Sequence, residues 1–192
     1  MPGVFETMTI RPLLVAAALF TTPALAQDAG TPAPADAGAK PAIKKGETVK
    51  AMLKDAQGKD VGEVTMEQAP KGVLVKGTLM NLPAGEHAFH IHETGKCEAP
   101  DFKTAGGHFN PTKKQHGALS PKGQHAGDLP NLYVPQEGKV QFDVFLPDLK
   151  VKSLLDKDGS AVMVHAKLDD YRTDPTGDAG GRIACGVVEK AE

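Results

Sequence analysis

Residues 87–128 read HAFHIHETGKCEAPDFKTAGGHFNPTKKQHGALSPKGQHAGD. Six of the chain's seven histidines fall here: His87, His90, His92, His108, His116 and His125. The seventh, His165, stands in AVMVHAKLDD. The segment FHIH is a short apolar run of β-forming residues and reads as a strand. Positions two apart on a strand share a face, so the imidazoles of His90 and His92 can meet one ion. On its own an H-x-H pair is as often two surface histidines. The rest of the stretch is rich in Gly, Pro, Lys and Ser and has no sustained apolar period. A loop of that length without secondary structure is uncommon unless something organises it. His108, His116, His125 and Asp128 lie along it, and three neutral imidazoles with one carboxylate suit a tetrahedral zinc shell. An ordinary solvated loop would not ask for a small residue beside each of these histidines.

Outward from this stretch, short alternating runs cover residues 48–54, 61–68 and 73–79 on one side. Apolar runs at 139–146, 161–166 and 183–189 lie on the other. Turn signals separate them at 55–58, 70–72 and 81–85, and 87–92 is the strand that carries the first histidines. Strands at this spacing between Gly/Pro turns indicate an all-β sandwich or barrel. Only residues 149–155 offer a helical turn. There is no Trp, so the core must come from Val, Leu, Ile, Ala and Phe.

The flanks point to export. Arg11 precedes the apolar run 13–20, and Ala24-Leu25-Ala26 offers a small-x-small cleavage site, so residues 1–26 read as a signal peptide. Met8 is an alternative start. The run is too short to span a bilayer, and no Cys follows it to carry a lipid. Residues 27–46 are Ala, Pro, Gly, Asp and Lys, a flexible tether that cannot bury a core. The folded domain is then 47–192, in the periplasm or secreted. The net charge of −2 suggests neither a nucleic-acid partner nor an anionic membrane. The two cysteines, Cys97 and Cys185, are an even count in an exported chain and favour a disulfide, the alternative being metal ligation.

GEHAFHIHETGKC, GGHFNP, QHG, HAGDLPNL, MVHAKLDD and DPTGDAGGRIACGVV together make the chain resemble a copper/zinc superoxide dismutase of the secreted bacterial kind. The likeness is clear over residues 85–188 and weaker back to 47. It implies an eight-stranded Greek-key β-barrel with long metal-binding and electrostatic loops. It implies copper on His90, His92, His108 and His165, and zinc on His108, His116, His125 and Asp128. His108 would bridge the two metals as an imidazolate and later donate a proton. The substrate would be superoxide: one anion is oxidised to dioxygen, and a second is reduced, with two protons, to hydrogen peroxide. Arg182 matches the family's active-site arginine, which draws in the anion. Asp169 matches the carboxylate that ties a copper ligand to a zinc ligand, here His90 and His116. His87 has no metal role in the family and reads as a packed, hydrogen-bonded histidine, while Thr176 would line the channel mouth.

One departure stands out. The segment from His165 to Arg182 is shorter than in the animal enzymes and lacks their charged steering pattern, leaving Arg172, or Lys113 and Lys114, as substitutes. A metal buffer or delivery protein on the same fold would be favoured by loss of a copper ligand or of Arg182, and a copper-only variant by loss of the zinc ligands. None is lost. The sequence leaves monomer and homodimer both open.

Overall fold

A computed structural model describes residues 46–191. The signal peptide 1–26, and the tether 27–46 up to its last residue, lie outside the described residues. Among the described residues nine strands form: β1 (Thr48–Asp55), β2 (Asp60–Ala69), β3 (Gly72–Leu79), β4 (Gly85–His87), β5 (Phe89–His92), β6 (Leu132–Val134), β7 (Val140–Pro147), β8 (Ala161–His165) and β9 (Arg182–Lys190). Seven of them pair in the order β5-β8-β9-β1-β2-β3-β7, and β4 pairs with β6 in a separate two-stranded sheet. Every pairing is antiparallel. The edge strands β5 and β7 approach each other through Phe89 and Phe142, whose ring centroids are 5.1 Å apart. The sheet therefore curls over one core.

Alternation explains most of this. Val49, Ala51 and Leu53 of β1 point inward, as do Val73 and Val75 of β3. In β2 the parity slips: Val61 and Val64 are both buried, three positions apart. A register irregularity between Leu53 and Lys54 absorbs the slip opposite Gly62. Each fully buried large side chain, such as Phe89, Leu53 or Ile91, contributes about 1.5–3 kcal/mol.

The strand count differs from eight in an instructive way. The run 87–92 is broken at Ala88, whose N–H donates to Lys167 O and whose carbonyl accepts from His165 N–H. The chain changes sheets there, with β4 going to β6 and β5 to β8. Strand β6 is three residues long, too short to show as a period. The helical turn expected at 149–155 is a 3-10 helix at Val151–Leu155.

The long segment between β5 and β6 is laced onto the free edge of β5. Phe109 N–H donates to Ile91 O, Ile91 N–H to Gly127 O, and Leu129 N–H to Phe89 O. These bonds bring His108 and Asp128 level with His92 and His90. A disulfide joins Cys97, in the same segment, to Cys185 of β9, 88 residues on. On the chain-entropy argument, closing a loop of that length stabilises by about 4–5 kcal/mol. Beneath it Phe102, Ala105, Ala161 and Met163 form a second small core with Cys185.

Candidate metal centre

All four residues of β5 are buried. Phe89 and Ile91 belong to the core, and the alternation leaves His90 and His92 for the opposite side. His165 ends β8 at a register shift that sets it opposite Arg182. The laced loop supplies His108, His116, His125 and Asp128, each at most 5% exposed. One ligand atom from each of His90, His92, His108 and His165 lies within 4.8 Å of the others. The same holds for His90, His108, His116 and Asp128.

Hydrogen bonds fix the tautomers. His90 Nε2–H donates to Asp169 Oδ2 at 2.7 Å, and His116 Nε2–H donates to Asp169 Oδ1 at 2.9 Å. In the neutral rings this leaves His90 Nδ1 and His116 Nδ1 as bare lone pairs, and both are buried without a hydrogen-bond partner, as is His108 Nε2. His92 Nδ1–H donates to Gly106 O at 3.0 Å, which turns its bare Nε2 towards His165 Nε2 at 3.3 Å. Lone pairs facing one another in a dry site are costly unless a cation sits among them.

Around Asp128 the spacing is sharper. Asp128 Oδ1 lies 3.0 Å from His108 Nδ1, 3.2 Å from His116 Nδ1 and 3.1 Å from His125 Nδ1. The His108 and His125 Nδ1 atoms are 3.4 Å apart. A tetrahedral zinc ion with bonds of about 2.0–2.1 Å demands ligand–ligand edges of roughly 3.3–3.4 Å. The His116 Nδ1 contact is within ion-pair range but out of line for a hydrogen bond, whereas those of His108 and His125 are aligned for one. The donor set thus fits zinc, and it favours His125 over His90 as the fourth member. His90 has only one free nitrogen, and a single nitrogen cannot serve two ions.

The electrostatics agree. Burial, then the charges of its neighbours, pushes His92 well below its ordinary value. Burial likewise lowers His165 to about 3, and lowers His108 to about 4 against the pull of Asp128. These rings are neutral ligands at neutral pH. Burial alone would lower His116, but the Asp128 and Asp169 carboxylates beside it outweigh burial and raise the metal-free ring to about 9. Burial would raise Asp128 and Asp169, yet the histidines hold both carboxyls far below the usual carboxylate range.

Known proteins match this chain in both sequence and fold. The family model described as copper/zinc superoxide dismutase matches residues 61–188. The chain belongs to the copper/zinc superoxide dismutase family. A superoxide dismutase [Cu-Zn] of Aquifex aeolicus is 49% identical over 139 residues, 69% of this chain and 82% of the relative. The crystal structure of a superoxide dismutase-like protein from Bacillus subtilis has a TM-score of 0.68 at 43% identity, covering 72% of this chain and 96% of that one. The Cu/Zn superoxide dismutase of Brucella abortus has a TM-score of 0.63 at 35% identity, covering 74% and 100%. As a copper/zinc superoxide dismutase the protein is an enzyme that takes superoxide as substrate and copper and zinc as cofactors.

The structure places the residues singled out in the sequence as follows. His90, His92, His108, His116, His125, His165 and Asp128 converge, and Asp169 joins His90 to His116. Arg182 is half-buried, with Nη1–H donating to Phe102 O and Nη2–H to Gly106 O, both at 2.7 Å. His87 stands apart, between His165 O and Pro83 O. Arg172, Lys113, Lys114 and Thr176 are exposed. Sequence reasoning missed Asn131, Tyr171, Asp174 and Gly177, which hold the loops in place. The Asn in DLPNL and the Tyr in LDDY carried no chemical signal of their own. Among the described residues no helix is long and apolar enough to cross a membrane.

Proposed function

We propose that the protein dismutates superoxide in the cell envelope, with copper held by His90, His92, His108 and His165 and zinc by His108, His116, His125 and Asp128. The observation that carries this reading is His108. Its Nδ1 faces Asp128 and His125, its Nε2 is buried without a protein partner, and its ring centroid lies 4.0 Å from that of His90 and 5.0 Å from that of His92. One imidazole with a nitrogen committed to each group of ligands is what a shared bridge requires.

Copper supplies one-electron oxidation and reduction, and zinc a fixed charge without redox chemistry of its own. The side chains do the rest. Arg182, braced by two carbonyls, offers its remaining N–H donors and its charge to a small anion. A braced guanidinium loses little freedom when the anion arrives. His108 Nε2 takes up a proton and hands it to the second superoxide, a general-acid step. A further proton comes from water, and the products are dioxygen and hydrogen peroxide. Asp169 holds the His90 and His116 rings in the tautomer that leaves Nδ1 bare.

For location, the reading rests on the signal peptide 1–26, the tether 27–46 and the disulfide of the domain 47–192. The metal buffer finds no support, because Arg182 and every expected ligand are present. The test is a pair of variants with the disulfide intact. His165→Ala should lose copper and nearly all turnover while keeping zinc. Asp128→Ala should lose zinc, keep copper and some turnover, and melt lower, since metal binding contributes folding free energy. If both variants lost the same metal, the two-site assignment would be wrong. The same protein taken from its native envelope should begin near Gln27 and be oxidised; a reduced, full-length chain in the cell interior would refute export.

A further inference from the structure

Asp169 has to reach two rings at once, yet it lies in the loop after β8, where backbone is ordinarily free to shift. Its carboxylate is not held by the histidines alone. Asn131, two positions after Leu129 and immediately before β6, grips the backbone of Asp169 on both sides. Asn131 Nδ2–H donates to Asp169 O at 3.0 Å, and Asp169 N–H donates to Asn131 Oδ1 at 2.8 Å. An asparagine amide presents one donor and one acceptor in a plane, so it pairs with a residue's N–H and C=O as a neighbouring strand would. These two partners also settle which way the amide points. A third bond closes the arrangement: Asn131 N–H donates to Tyr171 Oη at 2.8 Å. Tyr171, at φ 59°, turns the chain back so that its own N–H donates to Asp169 Oδ1 at 2.6 Å. Tyr171 O in turn accepts from Leu119 N–H in the long loop.

We propose that Asn131 and Tyr171 are positioning residues forming a clasp that sets the Asp169 carboxylate between His90 and His116. This rests on the assignment of those two rings to copper and zinc. Asn131 is itself anchored, because Leu129 N–H is bonded to Phe89 O of β5, the strand that carries His90. The clasp therefore refers Asp169 to the same strand as the ring it must meet. Loosening it disturbs both centres together, since the two carboxylate oxygens serve one ring each.

The experiment uses the fully loaded protein. Zinc release into excess chromophoric chelator is followed well below the melting temperature, and copper(II) is read by electron paramagnetic resonance. Losing the partner that orients a metal-bound histidine costs about 10–100-fold in metal affinity. Asn131→Ala should release zinc about 10-fold faster and shift the copper spectrum, and Tyr171→Phe should do so more weakly. A packing role alone would lower the melting temperature and leave both readouts unchanged. Should Asn131→Ala fail to fold, Tyr171→Phe, which removes one hydroxyl, carries the test. Asp169→Asn is the reference. If it releases zinc faster while the other two match the parent protein, the clasp is overturned and the site reading stands. If Asp169→Asn also matches the parent in both readouts, the site reading falls, and the clasp with it.

Discussion

Gly177 offers the most direct probe of how the carboxylate bridge is enclosed. It sits at φ +68°, and a methyl group there would overlap Asp169 Oδ1 and lie 2.6 Å from His116 Nε2. Gly177→Ala therefore imposes two separable costs. The left-handed backbone alone costs an alanine about 1–2 kcal/mol. The overlap is with a buried carboxylate rather than a flexible chain end, so Asp169 has to move, stretching the bonds of 2.7 and 2.9 Å to His90 and His116. Charge-assisted hydrogen bonds contribute about 1.5–3 kcal/mol each, so losing both would add roughly 3–6 kcal/mol, less whatever the loop recovers by relaxing. Gly58→Ala isolates the first cost: Gly58 is at φ +80° with nothing within 4 Å of the added carbon. The assay is denaturant unfolding of both metal-loaded variants, alongside zinc release. Gly58→Ala should lose only the backbone cost and keep its zinc. Gly177→Ala should lose clearly more and release zinc faster. Equal losses with unchanged zinc release would refute the claim that Asp169 has no room to yield.

Two further outcomes follow from the charges. Arg182→Glu should lower the second-order rate with superoxide by about 10–100-fold at low ionic strength with both metals retained, and Arg182→Lys should lose less; full activity in the glutamate variant would remove Arg182 from the reaction. For the metal-free protein, His108 and His165, depressed to about 4 and about 3, refuse protons that the unfolded chain accepts, so stability should fall as pH drops below about 6.5. His116, raised to about 9, contributes stability that is full below about 6.5 and lost as pH rises through 9. The metal-free melting temperature should thus peak near neutrality, and a profile rising steadily from pH 5 to 10 would contradict these assignments.

How much of this was legible in the sequence depends on whether the chemistry resides in side-chain type or in placement. His90 and His92 were readable because strand alternation fixes their relation over two positions. The grouping of His108, His116, His125 and Asp128 was legible because a long Gly- and Pro-rich loop needs something to organise it, and three imidazoles with a carboxylate suit zinc. Val61 and Val64 show where alternation fails, since a bulge costs one residue and reverses the faces beyond it. Strand β6 fell below the length at which any period can register, and the break at Ala88 depends on a partner, Lys167, that local sequence does not reveal.

Asn131 and Gly177 belong to a different class, and the difference is physical. A metal ligand is recognised by what it is, whereas a residue that aims a ligand is recognised only by what stands beside it. Asn131 in DLPNL would read as a turn residue in any chain, because its amide is useful only when Asp169 presents both backbone groups to it. Gly177 would read as one more loop glycine, because its lack of a side chain matters only beside a carboxylate that already has two histidines to reach. The two act on different parts of Asp169, Asn131 by holding its backbone and Gly177 by leaving space for Oδ1. Aligning a buried carboxylate with two rings takes both, a grip that stops it drifting away and a wall that does not push it off. This is why six of the seven histidines could be found in a single stretch of sequence, while the residues that aim them stand in two loops, one before β6 and one after β8.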